Sequence, residues 1–310
     1  MSANASTKVI IAALIGNAAI SITKFFAAFT SGSSAMLSEG IHSLVDTGNQ
    51  ILLLYGLKQA KKPADEAFPF GHGKEIYFWS FVVAILIFAV GSGVSIYEGI
   101  QHVLYPVKIE NAMVNYIVLS LALVFEGSAW FFAFKEFGKV KGQRGYIEAV
   151  KRGKDPSMFV VLFEDSAALL GLVIALFGIW LTQVTGVALF DGIASILIGV
   201  ILGGTAIWLA IETKGLLIGE GANKGVVASI RQIAESFDEV ENVNELLTMH
   251  MGPDFILVNI SIRFKRNKLT REIEAIIQEI DSAIKAKHEA VKRVFVEAEP
   301  DRVKSNSVTS

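Results

Sequence analysis

The sequence predicts an α-helical membrane protein, with six transmembrane helices followed by a small C-terminal α+β domain. Three observations predict it. Six apolar stretches, near residues 8–30, 33–58, 75–104, 112–135, 157–182 and 188–213, can each cross a hydrocarbon core of about 30 Å at ~1.5 Å rise per residue. Basic residues concentrate in alternate connections between them. From Lys214 onward no further apolar run of ~18 residues occurs, and helical and alternating patterns take over. The expected divisions are 1–213, a transmembrane domain; 214–300, a soluble α+β domain; and 301–310, a polar, disordered tail.

Met1–Thr7 is short and polar, without a charged region leading to a small-residue cleavage site, so the first apolar stretch reads as a retained span. It carries Asn17 and Lys24, polar packing residues of which the lysine either snorkels or pairs with an acid. The second span is the least hydrophobic, with His42, Asp46, Asn49 and Gln50. A spacing of four puts His42, Asp46 and Gln50 on one helix face, which must meet the bundle interior or a water-filled cavity. The fourth span holds Glu126, for which a partner or a protonated state is expected. The fifth holds Glu164 and Asp165, and the sixth opens on Asp191, a helix cap or an outer-cavity residue. His102 is an ordinary amphipathic ring near the membrane interface.

Lys58, Lys61, Lys62 and Lys74 lie in the second connection. Lys135, Lys139, Lys141, Arg144, Lys151, Arg152 and Lys154 lie in the fourth. The first and fifth connections are uncharged, and the third has Lys108 as its one basic residue. The positive-inside rule places the basic connections, and with six spans both termini, on the cytoplasmic side or its equivalent. In the soluble part, Asn223–Phe237 is helical, Leu246–Met251 and Phe255–Phe264 are strands around a Gly252-Pro253-Asp254 turn, Leu269–Lys287 is helical and Arg293–Val296 is a strand. The order αββαβ suggests two layers.

Composition narrows the chemistry. With a net charge of −2 there is no bias toward nucleic acid. With no cysteine, disulfides and thiolate metal sites are excluded, so metal ligands would be His, Asp, Glu or backbone. An acid at the centre of a spanning helix costs roughly 3 kcal/mol, which makes His42, Asp46, Glu164 and Asp165 functional candidates. An imidazole and a carboxylate on one face form a half-site for a divalent metal such as zinc. No HExxH, GxSxG or Walker-type loop supports an enzyme. A channel-like protein for another ion, or a membrane metal sensor with the soluble domain as output, are the competing classes.

HSLVD in the second span, FGHGKEI after it, YEGIQHVLYPV at the end of the third and an aspartate early in the fifth resemble the cation diffusion facilitator family over roughly residues 8–300. SEGIHSLVDTGNQ and KDPSMFVVLFEDSAALLG are most similar to its zinc transporter 9-like branch. The resemblance implies a homodimer with a ferredoxin-like cytoplasmic domain. It implies export of divalent cations in exchange for protons, with no prosthetic group. It also implies a four-ligand site, one i, i+4 pair from the second helix and one from the fifth. His42 and Asp46 fill the first pair, and Asp165 half of the second. Val161 stands in the remaining position and cannot ligate; Glu164, about 100° around the helix from Asp165, is the expected substitute, with Glu126, Asn49 or a water as alternatives.

Zinc is the expected cargo because His42 suits it; manganese, iron, cobalt and nickel are the alternatives. A bacterial cytoplasmic membrane is the expected location. In relatives the loop before the third span can carry an accessory site. Here His72 matches one histidine, Asp65 or Glu66 the acid, and Phe68 replaces a second histidine. Ser261 and Glu297 stand where relatives use cytoplasmic-domain histidines. His250, Glu297 and Glu299 could form a weak site, but a domain held by packing and dimer contacts is the favoured reading. His288 is expected to be a surface helix residue.

Overall fold

A computed structural model describes residues 3–109, 111–141 and 156–300. Six long helices come first: α1 (Ala3–Ser31), α2 (Ser34–Ala60), α3 (Glu75–Leu104), α4 (Ala112–Lys141), α5 (Pro156–Thr185) and α6 (Leu189–Ile218). Each coincides with one of the expected spans to within about six residues at either end. Within α3, residues Ile87–Ser92 form a π-helical stretch, an irregularity that the apolar pattern does not encode. Among the described residues, α3 to α6 contain segments long and apolar enough to cross a membrane. Helix α2 falls short because of its polar face, which is buried at Glu39, His42 and Asn49. Large apolar side chains such as Phe29, Val173, Phe177 and Ile211 are exposed. In a soluble helix that pattern would be inverted. Arg144, Lys151, Arg152, Lys154 and the tail 301–310 lie outside the described residues.

The chain divides into two units, one of Met1–Gln59 with Ile76–Lys214, the other of Ala60–Glu75 with Gly215–Ser310. In the first, α4 packs against both α1 and α5, and Trp130 Nε1 donates to Ser166 Oγ across the α4–α5 contact at 2.8 Å. Helices α3 and α6 meet through glycines. A Cβ added at Gly199 would lie 2.9 Å from the Ile96 nitrogen and 3.0 Å from the Ser92 carbonyl oxygen. Gly99 and Gly192 face each other's helices just as closely. Between helices in lipid, where burial gives no hydrophobic gain, this close approach supplies the attraction. Gly199→Leu is therefore expected to force α3 and α6 apart at a cost of about 1–3 kcal/mol. A lowered midpoint in thermal unfolding of the detergent-solubilised protein would register it, and an unchanged midpoint would refute it. Ser195, on α6, adds polar ties, its hydroxyl meeting Ser38 Oγ on α2 at 2.5 Å and the Ser95 carbonyl on α3 at 2.8 Å.

The second unit contains α7 (Lys224–Glu235), β1 (Val240–Gly252), β2 (Phe255–Phe264), α8 (Thr270–Lys287) and β3 (Val291–Ala298). The sheet order is β1-β2-β3, with β1 antiparallel and β3 parallel to β2. The expected elements are all there, but β1 starts six residues before Leu246 and β3 is longer at both ends. The early part of β1 carries register irregularities at Val240/Asn242 and Val243/Glu245, which break the alternation that marks a strand in sequence. Ile256, Val258, Ile260 and Ile262 of β2 meet Ile230 of α7 and Ile276, Ile280 and Ile284 of α8 in one core. Periods of two on the strand and four on the helix thus converge.

His288 departs from its expected place. It lies just past α8, half-buried, with Nε2 2.9 Å from Ser229 Oγ on α7, and burial holds its imidazole below the usual range.

Candidate functional site

The polar residues of the spans are gathered, and the way α2 is held begins the arrangement. Gly32, with φ +70°, ends α1 in the left-handed region and lets α2 begin two residues later. Ser33 caps α2, its hydroxyl accepting the Met36 amide at 3.1 Å. The remaining first-turn amides go to Asp191 on α6. Its carboxylate accepts the Ser34 N–H at 2.5 Å and the Ala35 N–H at 3.4 Å, with the Ser33 and Ser34 hydroxyls at 2.5 and 2.9 Å. His102 Nδ1 approaches the same carboxylate at 3.7 Å. Of the two readings of Asp191, the structure supports the cap, although the capped helix is α2 and not its own. His102 is correspondingly more than an interfacial ring.

Two turns further along α2, His42 is 1% exposed and its Nδ1 stands 3.3 Å from Asp46 Oδ1. The pair is not aligned for a hydrogen bond, and both ring nitrogens and Asp46 Oδ1 are buried without one. Asp46 faces α5, where its carboxyl is in hydrogen-bond contact with Glu164. Asn49 Nδ2 donates to Glu164 Oε1 at 2.5 Å, which makes Asn49 a holder of Glu164. Asp46, Glu164 and Asp165 line one cavity of about 840 Å³ together with Asn17, Gln50 and Glu126. Val161 is also on that wall, so the position where a ligand is missing faces the cavity too. His42 lies behind the wall, beside Asp46. Among the described residues, no three His, Asp or Glu side chains converge tightly enough to hold an ion as they stand.

A second polar cluster adjoins the first. Lys24 is wholly buried, and its ammonium meets Glu39 Oε2 at 3.0 Å, Ser43 Oγ at 2.7 Å and Glu126 Oε1 at 2.9 Å. Lys24 is thus paired and does not snorkel, and Glu126 has the partner its burial required. Glu39 escaped the sequence reading as a candidate. Its signal was the same as that of Asp46, an acid in a spanning helix, and at seven residues before Asp46 it lies on nearly the same helix face. Gly171 of α5 gives it room, since a side chain there would collide with Glu39 Oε1.

Drawn closer together, side chains of these types have the donor chemistry to bind a cation. Carboxyls that face one another in a dry interior need a proton or a cation between them, and a buried imidazole without a partner is a free donor. Outside the spans, His72 Nε2 meets Asp65 Oδ2 at 2.9 Å, with the Phe68 ring 4.5 Å from the imidazole. The His72 hydrogen bond, helped by the Phe68 amide, holds the Asp65 carboxyl below the usual carboxylate range. Asp65, not Glu66, is the acid that His72 engages. In the sheet, Ser261 Oγ donates to Glu299 Oε2 at 2.6 Å, while Asn259 Nδ2 reaches Glu297 Oε1 at 3.5 Å.

Fold and cavity together define a polytopic membrane protein with carboxyl groups lining a cavity among its helices. The chain belongs to the cation efflux family, a family of transporters. The family's transmembrane domain matches residues 10–218 and its cytoplasmic domain residues 223–301. Among curated proteins it is similar to the proton-coupled zinc antiporter SLC30A9, mitochondrial, of Xenopus laevis, 33% identical over 88% of this chain and 50% of the relative. It is also similar to metal tolerance protein C4 of Arabidopsis thaliana, 30% identical over 84% of this chain and 56% of the relative. The manganese efflux system protein MneP of Bacillus subtilis is 22% identical over 95% of this chain and 96% of its own length. The chain spans about half the length of the first two.

Proposed function

We propose that the chain exports divalent metal cations, zinc foremost, by exchange with protons through the His42, Asp46, Glu164 and Asp165 cluster. The observation that supports it best is the cavity where Asp46 of α2 meets Glu164 and Asp165 of α5, with the imidazole of His42 3.3 Å behind Asp46. The names of the Xenopus and Arabidopsis relatives agree with a metal cargo. Metal needs neutral imidazole and ionised carboxylates, so metal and protons compete for the same atoms. Cation arrival displaces protons, and protons from the far side displace the cation once the helices have rocked. Glu164 takes the role that Val161 cannot, steadied by Asn49. The working unit is a homodimer in a lipid membrane, with both termini on the cytosolic or matrix side.

Manganese is the second reading, favoured by a donor set with one nitrogen and several oxygens. The membrane is either bacterial cytoplasmic, as expected from sequence, or mitochondrial, as in the names of the SLC30A9 relatives. Localising the tagged chain decides between them.

Flux of a cation panel into proteoliposomes, comparing wild type with Asp46→Ala and Glu164→Ala, tests the reading. Zinc-stimulated proton movement in the opposite direction is expected, and flux should fall when the metal-loading side is acidified. Zinc flux indifferent to the pH gradient would remove the exchange step, and equal flux in all three proteins would remove the site.

A further inference from the structure

The transport reading accounts for the cluster on α2 and α5 but leaves Lys24, Glu39 and Glu126 without a task. All three donors of a buried ammonium are used, by two carboxylates and a hydroxyl from two other helices, α2 and α4. This is an ordered, fully built device. Stability alone explains it poorly, because buried ion pairs are often no better than well-packed apolar residues. Its position is more informative. Glu126 lines the same cavity as Asp46, Glu164 and Asp165, and its Oε2 is buried with no hydrogen-bond partner. Ser43, the third partner of Lys24, lines it as well. Five carboxyls, Glu39, Asp46, Glu126, Glu164 and Asp165, therefore share this region of the first unit with one ammonium.

We propose that the Lys24–Glu126 ion pair is a positioning element that sets how tightly the Asp46–Glu164–Asp165 cluster holds a divalent cation, acting through space and from outside the ligand set. The inference rests on the transport reading above. The Coulomb energy of a dication is twice that of a proton at the same distance, and the interior screens it weakly. A positive charge fixed beside Glu126 cancels the wall's fourth carboxylate. The cluster then attracts the cation with enough strength to load it and little enough to let it leave. Glu39 serves as the second counter-charge and holds the ammonium between α1 and α2.

The test is the half-saturation concentration for zinc and for manganese, measured by initial flux into proteoliposomes at pH 8 with the full chain. Glu126→Gln leaves Lys24 paired with Glu39 and removes a negative charge from the wall; its half-saturation concentration should rise on the order of tenfold. The double variant Lys24→Met/Glu39→Gln avoids an unpaired carboxylate in the buried position and exposes the wall to the full charge of Glu126. Its half-saturation concentration should fall by a smaller factor, because a neutral pair is removed and only the cation that screens Glu126 is lost to the wall, with a lower maximal rate as release slows. Both shifts should be alike for zinc and manganese, because a field acts on charge and not on ligand preference.

A merely structural role would move both variants in one direction, or only the maximal rate, and either result overturns the proposal. A shift confined to one metal overturns it too, by making Glu126 a ligand. If the double variant does not fold, an unchanged value in Glu126→Gln is sufficient to refute it. Asp46→Asn, run alongside, separates the two levels: retained flux there defeats the transport reading, whereas lost flux with unmoved half-saturation in Glu126→Gln defeats this inference alone.

Discussion

Asp46→Asn should reduce flux of every divalent cation by on the order of a hundredfold, equivalent to about 2.7 kcal/mol, without unfolding the protein. Asp46 is the residue through which the parts of the cluster touch. It faces His42 at 3.3 Å on its own helix, meets Glu164 on α5 and lines the cavity. Its Oδ1 is buried without a hydrogen-bond partner, a costly state that a bound cation relieves. Asparagine keeps the shape and one oxygen but removes the charge, so the comparison isolates electrostatics from packing. Thermal unfolding in detergent should be unchanged or slightly higher, since one desolvated acid among several is gone. Glu164→Gln should be milder, roughly tenfold, because an amide oxygen can still accept from Asn49. Flux near wild type in Asp46→Asn, with the protein folded, would dismiss the cluster as the carrier of transport.

The contrast between these residues explains how far sequence carries. Apolar length located α3 to α6 most clearly, because lipid demands about twenty residues per crossing and satisfies no backbone group, whereas the polar face of α2 weakens its signal. The spacing of His42 and Asp46 placed both on one face, because helix geometry is local. The β2 core was legible for the same reason, Ile256, Val258, Ile260 and Ile262 alternating as a strand does. What spacing cannot tell is which distant charge meets which. Lys24 pairs with Glu126, 102 residues away, and Asp191 caps a helix that starts 157 residues earlier. The sequence offered pairing or capping as one of two readings for each of these groups but could not name the partner. The π-helical stretch of α3 and the irregular start of β1 were hidden because each breaks the period by which an element is recognised.

The longest of those links also yields the largest structural effect. Asp191→Ala should destabilise the first unit by about 3–5 kcal/mol, the range for breaking a buried charged network, and lower the unfolding midpoint in detergent by roughly 5–10 °C. One carboxylate accepts two backbone amides of α2 and meets two serine hydroxyls, and it lies at the positive end of the helix dipole. Alanine leaves the buried Ser34 and Ala35 amides without the acceptor that Asp191 supplies. The effect should reach function because α2 carries two of the proposed ligands: His42 is eight residues past Ser34, about 12 Å along the helix axis. Asp191→Asn is the informative control. It retains one acceptor oxygen, so a loss of about 1–2 kcal/mol is expected, close to that of one charged hydrogen bond. Hydrogen exchange should report lost protection at Ser34–Leu37 in the alanine variant, with α4 less affected. If the alanine variant instead unfolds at the wild-type temperature and keeps that protection, the start of α2 is held by helix packing and not by Asp191.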